Sequence, residues 1–199
     1  SHCEPMASST AVEWGLRGKG DYDYVNNSDN VKEFWENRVR DVKNQEIVYT
    51  LGMRGVHDGK MQGAKTIEEQ KAVLQRVISD QREMLSKHIN GDLTQIPQVF
   101  IPYKEVLDIY NAGLEVPEDI TLMWCDDNYG YIRHFPTEAE RNRKGGNGML
   151  TMLKSRMQGF WFVLTDLFNF KDDDARGRMV YMSCVLFSAF YNVFITGIF

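Results

Sequence analysis

The chain has 199 residues, with 28 acidic side chains against 23 basic ones and a formal charge of −5. At 43% hydrophobic and 26% charged it has the make-up of a globular chain able to bury a sizeable core. The acidic balance argues against nucleic acid or an anionic membrane as the main partner. The three cysteines, Cys3, Cys125 and Cys184, are scattered and give neither metal-ligand spacing nor a disulfide framework.

Charge is unevenly spread. From Leu150 onward there are five Lys/Arg against four Asp/Glu, so the acidic excess lies in residues 1–149. The opening Ser1-His2-Cys3-Glu4-Pro5-Met6 has neither the basic nor the apolar region of a signal peptide. The closing run Met179–Phe199 carries no charge over 21 residues, long enough for a membrane-crossing helix, which takes about 20. Lys171, Arg176 and Arg178 precede it and would hold that side in the cytoplasm. Both ends read as cut, and the expectation is a fragment.

In chain order, Ser28 is a good N-cap, and Val31, Phe34, Trp35 and Val39 share one face of a helix over 28–40. Tyr22-Asp23-Tyr24 before it reads as a surface loop. Ile47–Leu51 is a short β-branched and apolar run, hence a buried strand. Thr66 and Glu69 form a capping box that opens a long helix to about His88, with Ile67, the Lys71 stem, Leu74, Ile78 and Leu85 as its apolar stripe. Gln98–Ile101 is the next strand, Tyr103–Asn111 a short helix, and Ile120–Trp124 a third strand. Thr137 and Glu140 predict a capped turn ahead of Lys144-Gly145-Gly146-Asn147-Gly148, read as a flexible loop. Strand–helix–strand–helix–strand with short connections predicts a parallel α/β sheet. Residues 150–170 are rich in aromatic and aliphatic side chains and predict an interfacial amphipathic helix ahead of a transmembrane helix.

The residues just past each strand carry the chemistry. Arg54, His57 and Asp58 come after the first strand, Tyr103, Lys104 and Glu105 after the second, and Asp126, Asp127, Asn128 and Tyr129 after the third. In a parallel α/β architecture the carboxyl ends of the strands converge on one rim, where ligands bind. Glycosidic cleavage needs one carboxylic acid to protonate the leaving oxygen and a second carboxylate to activate water or attack. Asp58, Glu105, Asp126 and Asp127 form the candidate pool. Arg54 offers a planar fork for a substrate carboxylate, and Trp124 and Tyr129 are candidate stacking platforms for a sugar. Each also has a plain structural reading: Arg54 with Asp58 as a local salt bridge, Glu105 as helix-dipole complement, one of Asp126 and Asp127 as a loop cap, Trp124 as core and His88 as structural. Their recurrence at three equivalent positions gives the set its weight. A divalent ion held by His57, Asp58, Asp126 and Asp127 is the rival chemistry, but no metal-ligand spacing supports it. Neither a metal nor a cofactor is expected.

Four strings, Ser1–Met6, Tyr49–Asp58, Gln98–Glu105 and Leu122–Tyr131, together resemble glycoside hydrolase family 115, the xylan α-1,2-glucuronidases, with Trp124-Cys125-Asp126-Asp127-Asn128-Tyr129-Gly130-Tyr131 the most specific. The resemblance runs through Gly148-Met149. It implies a partial, incomplete (β/α)8 TIM barrel over 1–149. The implied activity is inverting hydrolysis of glucuronic acid, or its 4-O-methyl ether, from glucuronoxylan or another glucuronic-acid-bearing polysaccharide. By motif match, Glu105 and Asp126 are the expected acid/base pair. Arg54, His57 and Asp58 would line the uronate pocket, Asp127, Asn128 and Tyr129 would contact substrate, and His2, also substrate-binding, would belong with Glu4 to an earlier strand end. After Met149 the family continues with a Tyr-Tyr-His-Val-Ser-Tyr-Trp-Gly type segment, whereas this chain reads Leu150-Thr151-Met152-Leu153. Residues 150–199 resemble the start of a major-facilitator-type transporter. That implies an unrelated apolar helical tail and membrane association through 179–199. A second reading therefore makes the chain a transporter fragment fused to a hydrolase remnant. The parent family implies a periplasmic or secreted place, and the tail implies a membrane.

Overall fold

The computed structural model describes residues 6–7, 9–127, 131–154 and 161–166. Its centre is a five-stranded sheet: β1 (Tyr49–Leu51), β2 (Gln98–Phe100), β3 (Thr121–Cys125), β4 (Asn147–Lys154) and β5 (Trp161–Asp166), in that spatial order. The first four strands run parallel and β5 returns antiparallel to β4. Four parallel strands lying side by side in sequence order, with helices between the first three, make an α/β sheet consistent with an arc of a barrel.

The sheet is sided by simple alternation. Tyr49, Leu51, Phe100, Leu122 and Trp124 point into the large core shared with the helices. Val99, Met123 and Leu150 form a second, smaller cluster, with Ile101 and Cys125 packed against it. Register confirms that these sets lie on opposite faces: Thr50 pairs with Val99, Val99 with Thr121, and Cys125 with Leu150.

The helical layer consists of α1 (Thr10–Arg17), α2 (Ser28–Val42), α3 (Ile67–His88), α4 (Glu105–Asn111) and the short α5 (Glu138–Arg141). The helix predicted over 28–40 is present as α2 with its apolar face: Val31, Phe34, Trp35 and Val39 are all buried. The capping boxes at Thr66/Glu69 and Thr137/Glu140 are both formed. On α3 the buried stripe is Val73, Leu74, Val77, Ile78, Met84 and Leu85. Ile67, expected on that stripe, is exposed at the first position of the helix, while Lys71 reaches the Ala112 carbonyl at 3.1 Å. The Nε2 of His88 meets Glu36 Oε1 at 2.6 Å and ties α3 to α2, a structural part as expected.

Several expectations are corrected. Helix α1 is absent from the sequence reading: its aliphatic Val12 and Leu16 face outward, and it is anchored by Trp14, edge-on to Tyr22 and Phe34. Tyr22 and Tyr24 are buried in that aromatic cluster instead of lying in a surface loop; Tyr24 stacks on Trp35. The segment 144–148 is no flexible loop. Gly145 donates to the Glu118 carbonyl at 2.7 Å, and its own carbonyl accepts from the Thr121 hydroxyl at 2.7 Å. A Cβ on it would stand 2.4 Å from the Ile120 backbone. Glycine is needed there so that β4 can begin against β3. The interfacial helix expected over 150–170 is replaced, where described, by strand: β4 continues to Lys154 and β5 covers Trp161–Asp166. The expected 149/150 junction thus lies inside β4. The segment 147–154 pairs with β3 on one side and β5 on the other, so its apolar content belongs to a strand and not to a helix. No helix among the described residues is long and apolar enough to cross a membrane, and Met179–Phe199 lies outside them.

Candidate active site

Three loops leave the carboxyl ends of β1, β2 and β3. After β1 the chain turns at Gly52, whose φ of +107° is open to glycine at little cost, and passes Met53 to Arg54. Arg54 is buried, and its Nε and Nη2 donate to Glu105 Oε1 and Oε2, each at 2.9 Å. Glu105 opens α4 immediately after β2, so this two-pronged pair bolts the β1 loop to the β2 loop. The guanidinium also lies 5.4 Å from the centre of the buried Tyr103 ring. Within this chain the Arg54 fork therefore grips a protein carboxylate, that of Glu105; the local salt-bridge reading with Asp58 falls on a side chain outside the described residues.

His57 sits in a single 3-10 turn, Val56–Asp58, in the left-handed region (φ 55°, ψ 48°), and is exposed. Lys104, just before Glu105, also has a positive φ (52°), with ψ −124°. Its Nζ lies 5.0 Å from the Tyr103 ring centre on an exposed side chain. Two non-glycine residues held in sparsely populated backbone regions on adjacent loops are a mark of functional rims.

After β3, Asp126 is buried and bridges antiparallel to Ile132. Asp127 folds the loop. Its carboxylate accepts the Tyr131 amide at 2.9 Å and is paired with Arg133 through both Nε and Nη2, and its own amide donates to the Tyr131 carbonyl. The cap role expected of one member of this pair falls to Asp127, while Asp126 stays at the end of β3 itself. The side chain of Asp58 and all of His2, Asn128 and Tyr129 lie outside the described residues. Among the described residues no group of three His, Cys, Asp or Glu is gathered to hold an ion.

Behind the β3 loop stands a cluster that the sequence did not advertise. Trp124, expected as core or platform, is core: it is buried on the helix side, with His134 stacked on it at 4.2 Å. The Glu140 carboxylate accepts from His134 at 2.9 Å, from Tyr110 at 2.8 Å, and from both the amide and the hydroxyl of Thr137. Burial pushes the Glu140 carboxyl up, but the bonds from His134, Thr137 and Tyr110 outweigh it and bring it down to about 2. Asn147, at the start of β4, accepts from Trp124 Nε1 and donates to the Glu140 carbonyl. The capping pattern at Thr137/Glu140 is the one part of this cluster visible in the sequence.

These strings and this geometry have close relatives. Glycosyl hydrolase family 115 matches residues 1–153. A solved structure, BtGH115A, described as a novel family GH115 4-O-methyl-alpha-glucuronidase with specificity for decorated arabinogalactans, is 76% identical. It matches with a TM-score of 0.73 over 75% of this chain and 20% of its own length. This chain thus spans about a fifth of the structure it resembles. Among curated proteins none matches. Neither match supports a transporter tail. The chain belongs to glycosyl hydrolase family 115, a family of glycoside hydrolases.

Proposed function

We propose that this chain supplies one arc of a glucuronidase barrel and the side of its pocket that receives an α-linked glucuronic acid or 4-O-methylglucuronic acid side chain of a polysaccharide. The observation that carries the reading is the Arg54–Glu105 pair past the ends of two adjacent parallel strands, with Asp126 just past the end of the next. In this account Glu105 and Asp126 are the acid/base pair of an inverting hydrolysis. One protonates the leaving glycosidic oxygen while the other takes a proton from the attacking water. Arg54 fixes the Glu105 carboxylate through its fork and brings positive charge to the rim. His57, Asp58, Asn128 and Tyr129 contact the uronate, Asp127 shapes the loop that carries two of them, and His2 belongs to the neighbouring strand end. The four parallel strands among the described residues are half the number that closes such a barrel, so binding rather than turnover is the property this chain should show alone.

Glucuronoxylan is the polymer that the family resemblance implies. The described specificity of the 76% identical relative favours a second reading, a decorated arabinogalactan. Titrating the chain with glucuronosylated fragments of each polymer separates the two. Binding of one set only assigns the polymer, and indifference to both sets while neutral fragments bind would sink the glucuronate reading.

A further inference from the structure

We infer that Gln81 is a positioning residue for this rim: from the middle of α3 it holds the Gly52 peptide at the top of β1, and thereby sets where Arg54 enters the site. The inference rests on the glucuronate-pocket reading for its functional consequence, but not for its geometry.

Gln81 is fully buried on a stripe that is otherwise apolar, between Ile78 and Met84. An unbonded amide there would be costly, and an aliphatic side chain would serve plain packing better. What Gln81 does instead is specific. Its Oε1 accepts from the Gly52 amide at 2.8 Å and its Nε2 donates to the Gly52 carbonyl at 2.9 Å. The last rung between β1 and β2 is Leu51 with Phe100, so Gly52 is the first residue beyond β1 and its ladder. The side-chain amide replaces the missing strand and satisfies both backbone groups of one residue at once. Sideways movement of Gly52 is blocked as well. Phe100 and Leu74 stand 3.2 and 3.7 Å from where a Cβ would be. Two residues further on, Arg54 reaches Glu105 through bonds that depend on where the Gly52 turn points.

The test is amide and guanidinium hydrogen exchange by NMR in the full 199-residue chain, comparing Gln81→Met, Gln81→Glu and a core control, Val39→Ala. Gln81→Met should speed exchange of the Gly52 amide and of the Arg54 Nε–H by about tenfold or more, the factor that losing one to two net hydrogen bonds carries. The control should not single out these two protons. Gln81→Glu supplies a readout that a merely structural role would not give. The ionised carboxylate can accept from the Gly52 amide but cannot donate to its carbonyl, whereas the protonated acid does both. Arg54 Nε–H protection should therefore recover as the pH falls through that carboxyl's titration. Unchanged Arg54 protection in Gln81→Met, no recovery in Gln81→Glu, or acceleration no different from Val39→Ala would each overturn the inference. A parallel titration with methyl α-glucuronoside keeps the two readings apart. If the parent chain does not bind it, the pocket reading fails while the exchange data still decide the clamp. If it binds and Gln81→Met binds as well, the clamp has no functional consequence and the inference fails.

Discussion

The guanidinium of Arg54 and the carboxylate of Glu105 meet through two parallel bonds of 2.9 Å, although 51 residues separate them in sequence. The arginine is buried and the glutamate nearly so. A buried charge whose ion-pair partner is removed is costly, typically by about 3–5 kcal/mol, whereas replacing both partners by apolar groups costs far less. Glu105→Leu should accordingly destabilise the chain by about that amount, and the double variant Arg54→Met/Glu105→Leu by clearly less than the sum of Arg54→Met and Glu105→Leu. Chemical denaturation of the four proteins checks this. It also bears on function, because loss of glucuronate binding in Glu105→Leu would then reflect the fold as well as the pocket, and Glu105→Gln is the fairer probe of the site.

The Glu140 cluster makes stability depend on acid. Its carboxyl ionises at about 2 in the folded chain against an ordinary value of 4.5, so the folded state holds the charged form more tightly than the unfolded state does. That contribution is fully present above about pH 4.5 and is lost as the pH falls toward 2. Glu36, brought to about 2 by bonds from His88 and Lys87, acts in the same sense over the same window. Glu140→Gln should lower stability by about 1–3 kcal/mol at neutral pH and flatten the acid limb of the stability profile. A profile as steep as the parent's would contradict the assignment.

Asp127 and Asp126 should behave differently. Asp127 is engaged by Arg133, whose side chain is largely exposed, so the pair is worth about 1 kcal/mol or less. Asp127→Asn and Arg133→Gln should each cost little stability, and their effects should be non-additive in a double-mutant cycle. Asp126→Asn should leave that loop pairing intact. Backbone amide shifts of Tyr131 and Arg133 report the loop directly.

Gly145→Ala should be among the more damaging small substitutions, since its Cβ would lie 2.4 Å from the Ile120 backbone. Overpacking of this kind costs about 1–3 kcal/mol. The loss should appear as separation of β4 from β3, visible as exchange of the Leu122 amide, which bonds the Gly146 carbonyl at 3.2 Å.

The sequence was legible where local chemistry and long-range packing agree. Helices α2 and α3 announced themselves through spaced apolar residues and the Thr66/Glu69 box, and β1 to β3 through short apolar runs that end in polar clusters. The family was legible in the string 122–131. What misled was burial decided from a distance. Tyr22 and Tyr24 look like a surface loop but are covered by Trp14 and Trp35. At 147–154, apolar content and glycine suggested a loop and then a helix. Pairing with β3 makes the segment a strand, and no periodicity within it could say so. At the site, the strand-end acids were foreseeable from position. The Arg54–Glu105 pairing, the Gln81 clamp and the His134–Trp124 stack were not, because each joins residues brought together only by the fold.

The most direct test of the central claim is an NMR titration of the labelled 199-residue chain with an α-1,2-glucuronosylated xylotriose and its arabinogalactan counterpart. The account predicts saturable shifts at Gly52, Arg54, Glu105 and Asp126, and their loss with the uncharged, glucose-bearing analogues. Shifts confined to the outer face of α3, or none at these strand ends, would contradict it.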